Sequence, residues 1–276
     1  MTETLQGTSA WIRRFQPSPD APHRLVCFPH AGGAATYFFP MAQALAPDVD
    51  VLAVQYPGRQ DRRSEPCIED IGTLAEHAAE EVLGWSDRPV TLFGHSMGAL
   101  IAFETARRLE ERGSPAAGLV VSGMRAPSRR GGTGGATGGG TGGGTGGGTA
   151  DGGTARAETE EELVAGILRL QGTDAAVLDD PELVRMILPT IRSDYKAAES
   201  YRWRPGPPLR TPIAVLTGSE DPHVSADGAA AWREHTAGPF TLSLFTGGHF
   251  FLNEHADDVR RVVSDHISRS FQPNSV

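Results

Sequence analysis

A serine lies between two glycines in Gly94-His95-Ser96-Met97-Gly98, directly after a short apolar run and just before a helical pattern. A serine hydroxyl is a weak nucleophile unless a turn exposes it and a neighbouring base takes its proton. Glycines on both sides let backbone crowd such a turn, so the hydroxyl stands at the end of the strand. Because this pattern also occurs by chance, a nucleophilic role for Ser96 depends on an acid and a base following in a matching order.

Two later loops supply that acid and base in the order Ser, Asp, His. Asp221 follows the apolar run 213–217, and His249 follows the run 240–245. Parallel strands bring their carboxyl ends to one edge of a sheet, so the three side chains are expected to meet there. In this interpretation Ser96 attacks an acyl carbon, His249 accepts the serine proton, and Asp221 fixes and stabilises the imidazole.

Three nearby residues offer alternative roles. Glu220 is the main rival to Asp221 as the acid, and His223 is a rival base. His95 precedes the serine on a tight turn, so its side chain is expected to point away from Ser96 and to pack or orient neighbours.

Acyl transfer also requires hydrogen-bond donors for the oxyanion that develops in the transition state. The N–H of Met97 is one candidate, because it lies at the start of a predicted helix, where the dipole favours negative charge. The second candidate is the N–H of Ala31 in Phe28-Pro29-His30-Ala31-Gly32-Gly33, where glycines allow backbone to approach a ligand. A plain turn is the alternative for this Gly-Gly pair.

The elements that position these residues alternate between short apolar runs and longer helical patterns. This alternation predicts βαβ units and an α/β fold with a mainly parallel sheet, whose strands are covered on both faces. The predicted strands are 25–28, 49–54, 90–93, 119–122, 213–217 and 240–245, with a possible edge strand at 11–15. The predicted helices are 37–45, 68–84, 97–112, 226–235 and 256–270.

Two segments depart from this rhythm. Residues 131–153 are rich in glycine with threonine at every fourth position, which predicts a disordered surface loop. Residues 158–203 have helical spacing without a strand between them, and they predict a helical pair inserted as a lid. Two surface helices packed at the sheet edge are the alternative.

Composition limits the remaining possibilities. The 276 residues suit one domain, and the net charge of −9 argues against a nucleic-acid partner. The sequence contains no run of membrane-spanning length and no signal peptide, so a soluble cytoplasmic protein is expected. The two cysteines, Cys27 and Cys67, form no disulfide framework, and no motif for a metal or a nucleotide is present.

Four segments together resemble one family, the stand-alone or type II thioesterases that accompany polyketide and non-ribosomal peptide synthetases. Residues 188–195 also look like the lid of that family, and the resemblance covers about residues 11–270. The four segments are Phe28-Pro29-His30-Ala31-Gly32-Gly33, Tyr56-Pro57-Gly58-Arg59, Gly94-His95-Ser96-Met97-Gly98 and Gly247-Gly248-His249-Phe250-Phe251. The long Gly/Thr tract departs from the family pattern, where the corresponding loop is much shorter.

The resemblance implies an α/β-hydrolase fold and hydrolysis of acyl thioesters on the phosphopantetheine arm of acyl or peptidyl carrier proteins. Such enzymes clear aberrant units from a blocked synthase. It implies a triad of Ser96, Asp221 and His249, with Ala31 and Met97 as oxyanion donors. No cofactor of the chain's own is expected, because the phosphopantetheine belongs to the partner. No metal is expected either, because the sequence contains no metal-binding motif.

Other readings stay open at this stage. A small-molecule carboxylesterase or lipase, an acyltransferase and a non-catalytic synthase-docking module are the alternative functions. An acidic carrier would require a local basic patch, for which the candidates are Arg59, Arg62 and Arg63, or Arg129 and Arg130. An acyl channel could be lined by Met97, Tyr195, Tyr201 and Trp203, with ordinary core as the alternative.

Overall fold

One seven-stranded sheet forms the centre of the computed structural model, which describes residues 9–129 and 181–270. The spatial order is β1-β3-β2-β4-β5-β6-β7, with β1 antiparallel to β3 and every other pair parallel. The strands are β1 (Ile12–Arg13), β2 (His23–Phe28), β3 (Val49–Val54), β4 (Val90–His95), β5 (Gly118–Ser122), β6 (Ile213–Gly218) and β7 (Phe240–Phe245). The predicted α/β class with a mainly parallel sheet is confirmed.

Helices cover both faces of this sheet. One core cluster packs α2 and α3 against it, and a second packs α1 and α7 against the opposite face. The helices are α1 (Phe39–Leu45), α2 (Ile71–Leu83), α3 (Met97–Glu111), α4 (Pro181–Ser200), α5 (Ala226–Ala230), α6 (Phe251–Glu254) and α7 (Ala256–Ser270). Within the two described ranges, none of them is both long and apolar enough to cross a membrane.

The central strands are buried along their whole length, as their apolar sequences predict. Strand β7 differs, because it lies at the sheet edge and pairs with β6 alone. Its Leu242 and Leu244 are 41% and 61% exposed, so the expectation of a strand covered on both faces was wrong for β7. All six positions of β7 are intermediate or exposed, in keeping with its place at the sheet edge.

Two predicted helix boundaries move for local reasons. The helix predicted from residue 68 begins at Ile71, because Asp70 caps it by accepting the N–H of Thr73 at 2.7 Å. The helix predicted over 226–235 is α-helical only as far as Ala230 and continues as a 3₁₀ turn over Ala231–His235. A tightened last turn is a common end for a short helix.

The predicted insertion is described only in part. The Gly/Thr tract 131–153 and the first predicted lid helix, with its apolar face at 163–170, lie outside the described residues. The second predicted helix is α4, which buries Leu188 and Ile191 against the body of the protein. Its role as a lid stays a prediction.

Candidate active site

Ser96 occupies a sharp turn between β4 and α3, with φ 54° and ψ −122°. A non-glycine residue rarely adopts a positive φ, so surrounding contacts must hold it in place. The flanking glycines permit those contacts. A methyl group at position 98 would overlap the carbonyl oxygens of Phe28 and Pro29, and one at position 94 would overlap the backbone of Gly98. The glycines of the motif are therefore needed for close backbone packing.

The structure brings the three predicted residues into one hydrogen-bonded chain. His249 Nε2 lies 2.9 Å from Ser96 Oγ, and His249 Nδ1 lies 2.7 Å from Asp221 Oδ2. The carboxylate can only accept when ionised, so we assign the proton to Nδ1 and leave the lone pair of Nε2 facing the serine. This arrangement suits an imidazole that removes a proton from a hydroxyl.

The acid and base loops are joined through their backbones. The N–H of Ser219 donates to the carbonyl of Phe245 at 2.7 Å, and that of Glu220 donates to the carbonyl of Gly247 at 2.9 Å. The Glu220 side chain is exposed, whereas Asp221 is buried beneath the imidazole. The side chain in contact with His249 is thus Asp221, and its rival faces solvent.

Three further histidines surround this site. His223, the rival base, does not lie between Asp221 and Ser96. Its backbone N–H donates to Asp221 Oδ1 at 2.8 Å. His95 is buried and lies with its Nδ1 3.0 Å from Ser122 Oγ, and its ring centroid is 5.1 Å from that of His249. The ring of His30 packs edge-on against Phe250.

Burial keeps the neighbouring imidazoles neutral. Desolvation, with a smaller effect from His249, lowers the pKa of His30 to about 3 and holds the pKa of His95 well below its usual range. Desolvation also lowers the pKa of His223. At neutral pH these rings carry no charge that would oppose a positive charge forming on His249.

The two candidate oxyanion donors lie where two segments touch. Met97 begins α3, and Ala31 lies in the loop after β2, whose carbonyls at residues 28 and 29 pack against Gly98. In that loop the N–H of Gly32 donates to Asp194 and the N–H of Gly33 donates to the His30 carbonyl. Across the described residues the N–H groups of Ala31 and Met97 donate to no protein acceptor. They are therefore available to a negatively charged oxygen.

The predicted channel residues occupy different surroundings. Tyr201 and Trp203 pack against the main core, and the Tyr201 hydroxyl donates to Glu104 Oε1 at 2.8 Å. Met97 belongs to the same core and is 1% exposed. Tyr195 instead packs with the small apolar cluster on α4. Tyr201, Trp203 and Met97 are thus ordinary core residues, which was the alternative to a channel lining.

The prediction that Arg59 and Arg62 belong to a basic surface patch for carrier docking was wrong. Arg59 is buried in an ion pair with Asp194. The sequence placed Asp194 only within the family-like stretch 188–195 and gave it no role, since no local pattern links residues so far apart. Arg62 is also buried and donates to Glu65 and to the Gln55 carbonyl. Both guanidinium groups are thus hydrogen-bonded within the chain and are not part of an exposed basic surface.

The second candidate patch is only half described. Arg129 is exposed and pairs with Glu234, and Arg130 lies outside the described residues.

Replacing Arg62 by alanine should therefore lower stability instead of weakening carrier binding. The change removes charged hydrogen bonds and a contact with the Trp11 ring at 4.8 Å, and leaves the Gln55 carbonyl without its donor. We expect the free energy of unfolding to fall by about 2–3 kcal/mol in urea denaturation. Exposed Arg63 is the matched control, and its alanine variant should stay within about 0.5 kcal/mol. Equal stability of both variants would contradict the assignment.

Within the described ranges no group of three or more His, Cys, Asp or Glu side chains has a geometry that could hold a metal ion.

Known proteins with similar sequences point to one family. Residues 23–269 match the model of the thioesterase domain family. The chain is 46% identical over 260 residues to the thioesterase PikA5 of Streptomyces venezuelae, covering 93% of this chain and 85% of that protein. It is 43% identical over 277 residues to a probable cadicidin biosynthesis thioesterase of Streptomyces griseus, covering 98% of this chain and 69% of that protein.

A solved structure agrees with these relatives. The type II thioesterase BorB from the borrelidin biosynthetic cluster superposes with a TM-score of 0.81 at 50% sequence identity, covering 94% of this chain and 98% of that chain. The sheet order, the flanking helices and this similarity establish the α/β-hydrolase fold.

Proposed function

Because the chain belongs to the thioesterase domain family, we propose that it releases acyl groups from the phosphopantetheine arm of acyl or peptidyl carrier proteins. The observation that carries this proposal is the chain of hydrogen bonds from Asp221 through His249 to Ser96. The relatives, named for their place in biosynthetic clusters, support a carrier-bound substrate. An editing role, in which stalled or aberrant units are removed, is part of this proposal.

The first half of the reaction forms an acyl-enzyme. Ser96 Oγ attacks the thioester carbonyl carbon while His249 Nε2 takes the hydroxyl proton. The carbonyl oxygen becomes an oxyanion that accepts hydrogen bonds from the N–H groups of Ala31 and Met97. The C–S bond then breaks, and the phosphopantetheine sulfur leaves and receives the proton held by His249.

The second half hydrolyses that ester. A water molecule attacks the acyl carbon as His249 takes one of its protons, and a second oxyanion forms at the same two donors. The C–O bond to Ser96 breaks, the serine regains its proton, and the free acid departs. Throughout, Asp221 holds the Nδ1 proton and stabilises the imidazolium.

This scheme needs no cofactor held by the chain. The pantetheine thiol arrives on the carrier and leaves with it, and a thiolate departs more readily than an amine or alkoxide. We therefore place the partner's prosthetic group on the substrate side of the reaction.

The test is mass spectrometry of carrier proteins loaded with short, branched and extended acyl chains, before and after exposure to the enzyme. We expect loss of the acyl mass with the phosphopantetheine retained on the carrier. Comparing turnover with oxygen esters of the same acids measures the preference for thioesters. The matched control is the enzyme treated beforehand with a serine-directed fluorophosphonate.

Each alternative gives a different result. Faster turnover of oxygen esters than of loaded carriers would indicate a carboxylesterase or lipase. Transfer of the acyl group to an added alcohol in preference to water would indicate an acyltransferase. Carrier binding without acyl loss, together with no fluorophosphonate labelling, would indicate a non-catalytic docking module.

A further inference from the structure

A buried ion pair joins two segments that are far apart in the sequence. Arg59 Nη1 and Nη2 donate to the two carboxylate oxygens of Asp194 at 2.9 and 2.8 Å. The side chains are only 7% and 1% exposed. A two-pronged guanidinium–carboxylate contact fixes both groups in orientation as well as in distance. The loop after β3 and helix α4 are therefore held rigidly together.

Both members of the pair also bind the backbone of the loop after β2. Asp194 Oδ2 accepts the N–H of Gly32 at 2.7 Å, and Arg59 Nη1 donates to the carbonyl of Gly33 at 3.0 Å. The carbonyl of Pro29 accepts the Tyr56 hydroxyl at 3.3 Å. These hydrogen bonds fix the backbone of the loop on both sides of Ala31.

Helix α4 presses on the same loop directly. Gly32 has φ +76°, and a methyl group there would lie 2.8 Å from Cγ1 of Ile191. Thr190, one turn before Asp194 in the helix, donates from Oγ1 to the carbonyl of Gly58 at 2.7 Å. The loop thus rests against the helix that carries Asp194.

We propose that Asp194, held by Arg59, is a positioning residue that aims the Ala31 N–H at the oxyanion. This inference rests on the proposed function. An oxyanion donor accelerates the reaction only when its direction is fixed before charge develops. Asp194 holds the N–H of Gly32, the residue next to Ala31, and the Ala31 N–H itself has no protein acceptor among the described residues.

The charges of the pair separate positioning from a direct electrostatic effect. A carboxylate beside the oxyanion loop opposes a developing negative charge, and the Arg59 guanidinium compensates it. Removing the carboxylate alone leaves a cation, which would by charge alone favour the oxyanion. Positioning predicts the opposite change in rate.

The experiment measures kcat and KM of Asp194→Ala and Asp194→Asn with a small acyl thioester. We expect kcat to fall about 10- to 100-fold for alanine, less than the loss of about 10²–10³ caused by deleting a donor, with KM nearly constant. Asparagine keeps an acceptor for the Gly32 N–H and should restore part of kcat. A role in stability alone would lower the amount of active enzyme, which fluorophosphonate titration measures, without changing kcat per active site.

A second readout follows the oxyanion itself. A trifluoromethyl ketone forms a tetrahedral adduct with a serine, and its oxygen occupies the oxyanion site. Its inhibition constant should rise by the same factor by which kcat/KM falls, whereas binding of the free acid product should change little.

Two variants serve as controls. Lys196 lies on α4, like Asp194, but its side chain is exposed and pairs with Glu69 instead of contacting the loop after β2. Lys196→Gln breaks this exposed pair and should leave kcat unchanged. Arg59→Met combined with Asp194→Leu removes both buried charges, so the protein should fold even if Asp194→Ala does not. Positioning predicts that this double variant stays slow.

The outcomes are distinct. Wild-type kcat in folded Asp194→Ala, or recovery of kcat in the double variant, would overturn the proposal. If the wild-type enzyme bound the ketone but cleaved no thioester, the proposed function would fail, and the ketone measurements would still decide the role of Asp194.

Discussion

Replacing Ser96 by alanine should lower kcat for acyl-carrier hydrolysis by about 10⁴- to 10⁶-fold. The hydroxyl is the group that His249 contacts at 2.9 Å, and without it no acyl-enzyme can form. Carrier binding should persist, because the change removes a single oxygen atom. Rapid-quench kinetics and mass spectrometry check the loss of chemistry, since the wild-type enzyme should gain the acyl mass transiently and the variant should not. A titration of the variant with the loaded carrier checks that binding persists.

Ser219→Ala is the matched control, because Ser219 is exposed and its structural contact is made by its backbone. Its kcat should stay within about twofold of wild type, in keeping with a surface substitution. A fluorophosphonate should label this control at full stoichiometry and fail to label the Ser96 variant. Residual activity of a few per cent in Ser96→Ala would mean that the nucleophile lies elsewhere.

The sequence could predict the strands and the loops that carry Ser96, Asp221 and His249 because these features have local signals. The apolar runs of the buried strands and the glycines around the serine turn can both be recognised in the sequence itself. The parallel sheet then places the three loops at one edge. Their final distances of 2.7 and 2.9 Å follow from packing that the sequence does not display.

Tertiary contacts between distant segments could not be predicted in this way. Arg59 and Arg62 looked like surface charges, since arginine is mostly exposed in proteins, yet both are buried. Burial of Arg59 depends on a carboxylate 135 residues away, for which spacing gives no signal. Likewise, nothing in the sequence indicated that the apolar side chains of Leu242 and Leu244 would be exposed, which follows from the place of β7 at the sheet edge.

Replacing Asp221 by asparagine should lower kcat by about 10⁴-fold with little change in KM. The asparagine amide can donate to Nδ1, which would favour the imidazole with its proton on Nε2, facing Ser96. In that tautomer Nε2 cannot accept the serine proton. The carboxylate that would stabilise the imidazolium is also lost. Steady-state kinetics with a loaded carrier and with a small thioester should show the same loss, because the defect lies in proton transfer and not in binding.

Glu220→Gln and His223→Gln decide whether a neighbour performs either role. The Glu220 side chain is exposed, and His223 touches Asp221 through its backbone N–H, which survives substitution. Glu220→Gln should therefore keep kcat within about twofold, as expected for a surface change. His223→Gln should also retain kcat at neutral pH, because burial lowers the pKa of His223 and its ring carries no charge there. A large loss in Glu220→Gln with normal activity in Asp221→Asn would transfer the acid role to Glu220 and require the loop after β6 to rearrange.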